Sequence, residues 1–472
     1  MEQNGNNVKS QLADTFAYKG LRFYFSATSF SSFFVPLSET DLLARIDGIL
    51  QSVARTGGIP LGSDTELVRY LFENGALALS EAAAPIAVAG MCECGSLPFR
   101  RSSRGYALLL NQFCNLRCTY CLDGRNSYET FAKRAMTSQT ATAAIDYFVD
   151  SVNEGGHINL NLFGGEPLLS FDRVKEVVAY AQSACMKNEI SLELSMQSNF
   201  TLMKSEVAAF LAENSIVVHV NVDGDEALHN TLRPHKNHNI NSFSRTVENI
   251  SIARKEGVQL VGRATVTRHN AAILDKICDL HRSIGIDYTQ FGLLRPTNSD
   301  TEIFDESMFP EYEDLRLGYE RLVRSDHAEG RELIESFRTG MFSPKTGRHV
   351  CGASKGDIAT VDYTGNLYPC AWFVGIKDLC IGNVYNKGHW DTNSHSRIRR
   401  RMSIEPDPVC MKCGYRSVCG GGCSVTRTLL ASRKDEKAQQ AIARARSFQC
   451  ARTKTVVREV LAEEFVQTVG FG

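Results

Sequence analysis

The segment "YALLLNQFCNLRCTYC", residues 106–121, is an apolar strand pattern that runs directly into three cysteines. Cys114, Cys118 and Cys121 lie within eight residues of one another. Three thiols this close fit three kinds of site: a redox pair with a spare thiol, three quarters of a zinc site, or three ligands of an iron–sulfur cluster. The surrounding sequence has to distinguish among them.

Five further apolar runs follow, and helical patterns separate them. The runs are "HINLNLF" (157–163), "ISLELSM" (190–196), "VVHVNVD" (217–223), "VQLVGRATV" (258–266) and "DYTQFGLL" (287–294). Strands that alternate with helices at this spacing predict parallel βαβ units. Six units are too few to close an eight-stranded barrel, so a partial barrel and an open doubly wound sheet both fit.

In either architecture the functional residues are expected at the carboxyl ends of the strands. The three cysteines follow the first strand, and "GGEP" (164–167) follows the second. The third strand ends in "QSN" (197–199), and the fourth in "DGD" starting at Asp223. Because polar and glycine-rich residues recur at the same edge, the sequence predicts one shared site there.

Composition limits the class of protein. The chain has 472 residues, with 43% hydrophobic and 22% charged residues, which is ordinary for a soluble globular protein. A formal net charge of −1 argues against a nucleic-acid partner held by bulk electrostatics. No apolar run is long enough to span a membrane, and the first residues lack a secretion signal. We therefore expect a cytoplasmic protein with neither a nucleic-acid nor a membrane partner.

Fifteen cysteines in a reducing compartment predict metal or cluster ligands rather than disulfides. Cys185 and Cys278 lie in helical patterns, where a buried small apolar side chain is expected. Five cysteines fall outside any ligand-like spacing: Cys185, Cys278, Cys92, Cys94 and Cys380. From about Gly340 the chain loses regular periodicity and gains thiols, which is typical of loops held together by metal ligands.

The spacing of the first three cysteines favours a cluster. Three thiolates can bind three corners of a [4Fe–4S] cube and leave the fourth iron to a non-protein ligand. Zinc needs a fourth side chain, and none stands at a fitting distance near Cys121. A redox C-x-x-C pair does not need Cys114.

The C-x3-C-x2-C loop, with Tyr120 before its last cysteine, and "GGEP" after the second strand resemble the signatures of the radical S-adenosylmethionine (radical SAM) superfamily. The spacing Cys351-x13-Gly365-x4-Cys370, then Cys410-x2-Cys413-x5-Cys419-x3-Cys423, then Cys450, resembles the seven-cysteine SPASM domain. The resemblance implies a partial (β/α)6 TIM-like barrel at residues 101–335 and a loop-rich SPASM domain at 336–472. Residues 1–100 fall outside it and read as a small α+β unit, which is either a cap on the barrel or a winged-helix-like module that recognises a peptide.

The resemblance also implies a [4Fe–4S] cluster at Cys114, Cys118 and Cys121 whose open iron binds S-adenosylmethionine. The residues expected at that cofactor are Tyr120, Gly164, Gly165, Glu166, Pro167, Ser198, Asn199 and Arg263. For Arg263 an ion pair within the barrel is the alternative, and for Glu166 a structural anchor. "VDGDEALHNTLRP" resembles a D-G-x4-H-x3-R segment that places Asp223, His229 and Arg233 on the substrate side.

The carboxyl-terminal cysteines are expected to hold two auxiliary [4Fe–4S] clusters. By the interleaved pattern of the SPASM domain, the nearer cluster takes Cys351, Cys370 and Cys423. The farther cluster takes Cys410, Cys413, Cys419 and Cys450. The alternative for "CMKCGYRSVC" is zinc, since C-x2-C is a common zinc half-site. "FSPKTGRHV" before Cys351 contains no further cysteine, so the nearer cluster is left with an open iron, a water, or Cys380.

The resemblance indicates an enzyme that acts on a peptide. We expect a radical SAM maturase that cross-links side chains of a ribosomal precursor peptide through a thioether, ether or carbon–carbon bond, with a flavodoxin- or ferredoxin-type reductant. The first alternative is an anaerobic sulfatase-maturating enzyme, but such enzymes carry an aspartate base directly after the G-x4-C cysteine, where this chain has Ala371. A multi-cluster electron-transfer protein is the alternative from another class.

Overall fold

The structure is a computed structural model. It describes residues 8–10, 14–18, 21–26, 31–36, 38–56, 65–73, 77–79, 101–121, 135–294, 306–342, 351–386, 392–403, 408–411, 413, 415–425, 428 and 436–469. Cys92 and Cys94 lie outside the described residues.

The amino-terminal hundred residues contain two small antiparallel sheets and two helices. Strands β1 (Val8–Ser10) and β5 (Leu77–Leu79) pair with each other, and β2 (Asp14–Tyr18), β3 (Leu21–Ser26) and β4 (Ser31–Pro36) form the second sheet. Helices α1 (Thr40–Thr56) and α2 (Thr65–Glu73) share a hydrophobic core with Tyr24 of β3. The Tyr24 hydroxyl donates a hydrogen bond to Asp47 Oδ1 at 3.0 Å. These elements form an α+β unit, and its role in peptide recognition stays a prediction.

Six parallel strands form the centre of the molecule. They are β6 (Arg101–Leu109), β7 (Val152–Phe163), β8 (Ser191–Ser198), β9 (Val217–Asn221), β10 (Leu260–Val266) and β11 (Thr289–Leu293). They neighbour one another in chain order from β6 to β11. A doubly wound sheet would instead reverse its strand order at a switch point. The sequential order confirms the partial barrel and excludes the open doubly wound sheet.

Helices between the strands cover one face of the sheet. They are α3 (Ser138–Asp150), α4 (Phe171–Lys187), α5 (Ser205–Glu213), α6 (Glu226–Leu232), α7 (Ser242–Lys255) and α8 (Leu274–Ser283). Alternate strand residues, such as Leu194 and Met196, are buried in the core beneath them. Cys185 and Cys278 are buried on helices α4 and α8, which confirms their expected packing role.

The opposite face of the sheet carries hydrogen-bonding side chains. Asn161 Nδ2 donates to Ser195 Oγ at 2.9 Å, and Gln197 Nε2 donates to Asn221 Oδ1 at 3.4 Å. Because residues two apart along a strand share a face, this polar surface leads along β7, β8 and β9 to their carboxyl ends.

The carboxyl-terminal region extends the same sheet. Helices α9 (Tyr312–Arg324), α10 (Ala328–Phe342) and α11 (Gly352–Lys355) precede β12 (Ile358–Val361), β13 (Asn366–Tyr368) and β14 (Gly382–Asn383). Strand β12 pairs in parallel with β6, and β13 and β14 follow antiparallel. The domain limits stay a prediction, and α10 runs across the predicted limit at residue 335.

Four more helices complete the chain: α12 (Thr392–Met402), α13 (Pro408–Met411), α14 (Arg416–Cys419) and α15 (Glu436–Val469). Helix α15 packs on α9 and α10 through a second core that includes Tyr319 and Phe448. Arg324 of α9 donates to both carboxylate oxygens of Glu459 at 3.2 and 2.7 Å. Among the described helices, none has a stretch apolar enough to cross a membrane.

Candidate functional site

The three-cysteine loop starts directly after β6 and is fixed against the end of α6. Leu116 forms a β-bridge with His235, and Arg117 N donates to Pro234 O at 2.8 Å. Thr119 N donates to Leu232 O at 2.9 Å. These backbone bonds hold Cys114, Cys118 and Cys121, all half-buried thiols, at the carboxyl edge of the sheet, as the sequence predicts.

Nitrogen donors surround two of the thiols. Leu116 N lies 3.4 Å and Asn199 Nδ2 lies 3.6 Å from Cys114 Sγ, and Arg233 Nη1 lies 3.9 Å from Cys118 Sγ. Burial raises the pKa of both thiols, so their thiolates require a compensating cation. Donors aimed at buried sulfurs that need such a cation fit the ligands of an iron–sulfur cluster.

The "GGEP" segment continues the pairing of β6 with β7 beyond the strands. Gly165 N donates to Asn111 O, and Glu166 N donates to Phe113 O, each at 3.0 Å. A Cβ on Gly165 would lie 2.2 Å from Phe113 O, so no other residue fits without moving the backbone. The segment is therefore packed directly against the base of the cysteine loop.

Glu166 joins the second strand to the third. Its side chain is completely buried, and Oε1 accepts hydrogen bonds from Ser198 Oγ at 2.8 Å and Leu168 N at 3.2 Å. Oε2 accepts the Asn199 backbone N–H at 2.7 Å. Burial raises the pKa of Glu166 to about 7, and the three donors oppose that rise. These contacts favour the structural-anchor interpretation of Glu166, with Pro167 starting the short 3₁₀ turn Pro167–Ser170 below it.

Asn199 connects this anchor to the cysteine loop. Its Nδ2 donates to Asn115 Oδ1 at 2.8 Å, and Asn115 Nδ2 donates to Thr201 Oγ1 at 2.7 Å. Sequence reasoning missed Asn115 and Thr201, although Asn115 stands between two of the predicted ligands. Phe200 has a φ of 65°, in the left-handed region that favours glycine, and is completely buried. A left-handed phenylalanine costs energy that the packing around it must offset.

A second network lies on the other side of the cysteine loop. Asp223 Oδ2 accepts hydrogen bonds from the Tyr120 hydroxyl and from Arg233 Nε, the latter at 2.7 Å. The Arg233 guanidinium lies over the Tyr120 ring, 5.4 Å from its centroid. Asp223 Oδ1 accepts the Thr265 backbone N–H at 2.8 Å. Three predicted residues from two separate motifs therefore meet beside Cys118.

His229 and Arg263 lie apart from these contacts. His229 is 1% exposed, and neither ring nitrogen has a hydrogen-bond partner among the described residues. Burial, reinforced by the charge of Arg233, lowers the pKa of His229 to about 4, so this imidazole is neutral near pH 7. Arg263 is half-buried on β10 beside His219 and lines a cleft of about 300 Å³ with Gln290.

The carboxyl-terminal cysteines form two groups. Cys351, Cys370, Cys380 and Cys423 pack at the edge of the main core. Cys351 Sγ lies 3.3 Å from the hydroxyl of Ser424, which follows Cys423 in the chain. Cys380 Sγ lies 3.2 Å from Gly382 O.

The second group belongs to the core under α15. Cys413 packs against that core, and Cys413 N donates to Cys410 O at 3.2 Å. Burial raises the pKa of Cys450 to about 11, with a further rise from the neighbouring Cys419 and Cys413. This separation agrees with the interleaved pattern, and the assignment of ligands to two clusters stays a prediction.

Comparison with known proteins identifies the central region. Residues 108–280 match the sequence profile of the radical SAM superfamily. A cysteine-type anaerobic sulfatase-maturating enzyme of Clostridium perfringens is 26% identical over 340 residues, which cover 66% of this chain and 85% of the relative. This chain is also similar to the solved structure of native anSMEcpe with bound AdoMet, with a TM-score of 0.61 and 19% identity over 78% of this chain and 100% of that one. Streptococcus suis SuiB is similar over 91% of this chain and 97% of its own, with a TM-score of 0.51 and 16% identity.

Proposed function

The chain belongs to the radical SAM superfamily through its domain at residues 108–280, and we propose that it matures a ribosomal precursor peptide by joining two of the peptide's side chains. The observation that carries the proposal is the cysteine loop beside the "GGEP" segment, combined with Ala371 at the position of the sulfatase-maturation base. The domain implies a [4Fe–4S] cluster and S-adenosylmethionine.

Cys114, Cys118 and Cys121 would hold this cluster, and the nitrogen donors around Cys114 and Cys118 support that role. When bound, the cluster and S-adenosylmethionine supply a 5′-deoxyadenosyl radical that can remove hydrogen from an unactivated carbon. The cofactor would lie along Gly164, Gly165, Ser198 and Asn199, with Arg263 as a candidate for its carboxylate.

The protein's own task is to fix this site and exclude water. The Glu166 side chain accepts hydrogen bonds from Asn199 N and Leu168 N. It therefore fixes the end of β8 against the "GGEP" segment, where the cofactor would bind. Asn199 then reaches the cysteine loop through Asn115. Buried side chains that are hydrogen-bonded on both polar atoms, as Glu166 is, give a preorganised site that need not rearrange during the reaction.

A peptide substrate agrees with the kinds of relatives. The sulfatase-maturating enzymes act on proteins, as their name states, and one solved anSMEcpe structure contains a Cp18Cys peptide. The polar face of β7 to β9 offers amide and hydroxyl groups of the kind that pair with peptide backbone. Residues 1–100 would then bind the precursor's leader segment.

Sulfatase maturation is the second candidate, and the similarity to the Clostridium perfringens enzyme favours it. Ala371 opposes it, because a methyl group cannot accept the proton that the aspartate of such enzymes takes. Ala371 directly follows Cys370 and starts the 3₁₀ turn Ala371–Phe373, so the position is ordered and has no ionisable group.

Cross-linking requires an electron acceptor. Joining two side chains removes two hydrogen atoms from the peptide, one by abstraction and the other as a proton and an electron. Cys351, Cys370 and Cys423 would hold one auxiliary cluster, and Cys410, Cys413, Cys419 and Cys450 another, which supply one-electron acceptors. A flavodoxin- or ferredoxin-type protein would exchange electrons with the clusters.

The deciding experiment uses the short reading frame nearest to this chain in its genome. The reduced protein, S-adenosylmethionine and that peptide are incubated without oxygen, and the peptide is analysed by mass spectrometry. We expect loss of two hydrogens, with fragmentation blocked between the joined residues. A product that fragments normally and reacts with a hydrazide is an aldehyde, and it would replace cross-linking by formylglycine formation.

Leader recognition has a separate test. Binding of the labelled leader segment is measured by fluorescence anisotropy with the full chain and with residues 101–472. We expect the shorter protein to lose most of the affinity while still cleaving S-adenosylmethionine. If both proteins bind the leader segment with equal affinity, residues 1–100 do not recognise it and are a cap on the barrel.

A further inference from the structure

A buried ion pair lies directly behind the cysteine loop. Asp223 and Arg233 are joined at 2.7 Å, and their side chains are 0% and 7% exposed. The same guanidinium donates from Nη1 to Cys118 Sγ at 3.9 Å. Burying two charges costs more than their attraction usually returns, so a pair in this position requires a reason beyond stability.

The pair is fixed in one orientation. Asp223 is held by Thr265 N on Oδ1 and by the Tyr120 hydroxyl on Oδ2, and Tyr120 also lies beneath the guanidinium. Asp223 bonds Arg233 through Nε, whereas Nη1 reaches the sulfur. The positive end of the pair therefore points at Cys118, with the carboxylate behind it.

From this geometry we infer that Arg233 is a positioning residue that raises the reduction potential of the cluster at Cys118. Reduction adds one negative charge to the cluster, and a guanidinium in contact with a ligand sulfur stabilises the reduced form more than the oxidised form. Asp223 weakens this effect but does not cancel it, because the carboxylate lies on the far side of the guanidinium. The inference rests on the proposed function, since it needs a cluster on Cys114, Cys118 and Cys121.

The test removes the pair without leaving either charge alone. The double variant Arg233→Gln with Asp223→Asn keeps hydrogen-bonding side chains at both positions. The measured quantity is the midpoint potential of the cluster signal that changes when S-adenosylmethionine is added, from a titration followed by electron paramagnetic resonance. We expect the reduction equilibrium constant to fall about tenfold, which is about 59 mV for one electron. Arg233→Lys keeps a positive charge and should recover part of the shift.

A matched control is the ion pair of Arg282 with Glu329, joined at 2.6 Å with the carboxylate 4% exposed. Arg282→Gln with Glu329→Gln should leave the midpoint potential unchanged. A double variant of the first pair that keeps its iron and has the parent's potential overturns the inference. Loss of the cluster from that variant also overturns it, because the pair would then hold the loop instead of tuning the cluster. Absence of iron from the parent protein would refute the proposed function itself.

Discussion

Replacing Glu166 by glutamine tests the anchor between the "GGEP" segment and the end of β8. Glutamine can keep the acceptor for Ser198 Oγ and Leu168 N, but its Nε2 group faces the backbone N–H of Asn199. Two donors then oppose each other inside the protein. A buried donor without an acceptor costs about 1–3 kcal/mol, so the variant should be less stable by that amount wherever Glu166 is uncharged.

The loss of stability caused by Glu166→Gln should be larger at low pH than at high pH. Folding raises the pKa of Glu166 from 4.5 to about 7, so the folded protein binds its proton more tightly than the unfolded chain does. The parent is therefore favoured at low pH, and it loses stability as pH rises from about 4.5 to 7, by roughly 3 kcal/mol at most. Glutamine has no such titration. The variant should be clearly less stable than the parent at pH 5, and the gap should close by pH 8.

The assay is urea unfolding of the parent and the variant, side by side at both pH values. Glu193→Gln is the control, because Glu193 is exposed, accepts a hydrogen bond from Asn159 at 3.1 Å and lies 3.5 Å from His157 Nε2. It should change stability by less than about 0.5 kcal/mol at either pH. If the stability difference between E166Q and the parent is the same at pH 5 and pH 8, folding does not raise the pKa of Glu166.

Two further substitutions test other parts of the site. Gly165→Ala should prevent residue 165 from packing against Phe113 O and should lower iron incorporation. Gly48→Ala is the control, because a Cβ there meets no atom within 4 Å, and it should leave the iron content unchanged. Equal iron contents in the two variants would show that the close packing at Gly165 is not needed to hold the cluster. Cys450→Ser should remove about four irons per chain, and Cys185→Ala, in a buried helix position, should remove none. A zinc signal in place of the lost iron would reverse the assignment of the second cysteine group.

The strands of the barrel could be predicted from the sequence, because the hydrophobic periodicity that indicates a strand is local. Each apolar run named from the sequence contains or overlaps a strand, and helices lie between these strands as the sequence predicts. The pairing of β12 with β6 was not readable, since Ile358–Val361 is a short run in a loop-rich region with no periodic signal of its own.

Part of the candidate site could also be predicted from the sequence. Motif spacing placed Cys114, Glu166 and Asn199 at one edge, because parallel strands bring their carboxyl ends together. Motif spacing could not show that Asp223 contacts both Tyr120 and Arg233. The bond between Tyr120 and Asp223 joins residues 103 positions apart, and it depends on the turn of the chain after β9. The lack of hydrogen-bond partners for the His229 ring among the described residues could not be predicted either, because the burial of one side of α6 depends on tertiary packing.

The proposed function requires this chain to cleave S-adenosylmethionine at a cluster held by Cys114, Cys118 and Cys121. The most direct measurement incubates the reconstituted protein with S-adenosylmethionine and dithionite without oxygen and quantifies 5′-deoxyadenosine, with Cys118→Ala as the matched blank. We predict that the parent forms 5′-deoxyadenosine together with methionine and that the blank forms neither. A parent protein that carries its clusters and yields no 5′-deoxyadenosine would not be a radical SAM enzyme, and a multi-cluster electron-transfer protein would be favoured instead.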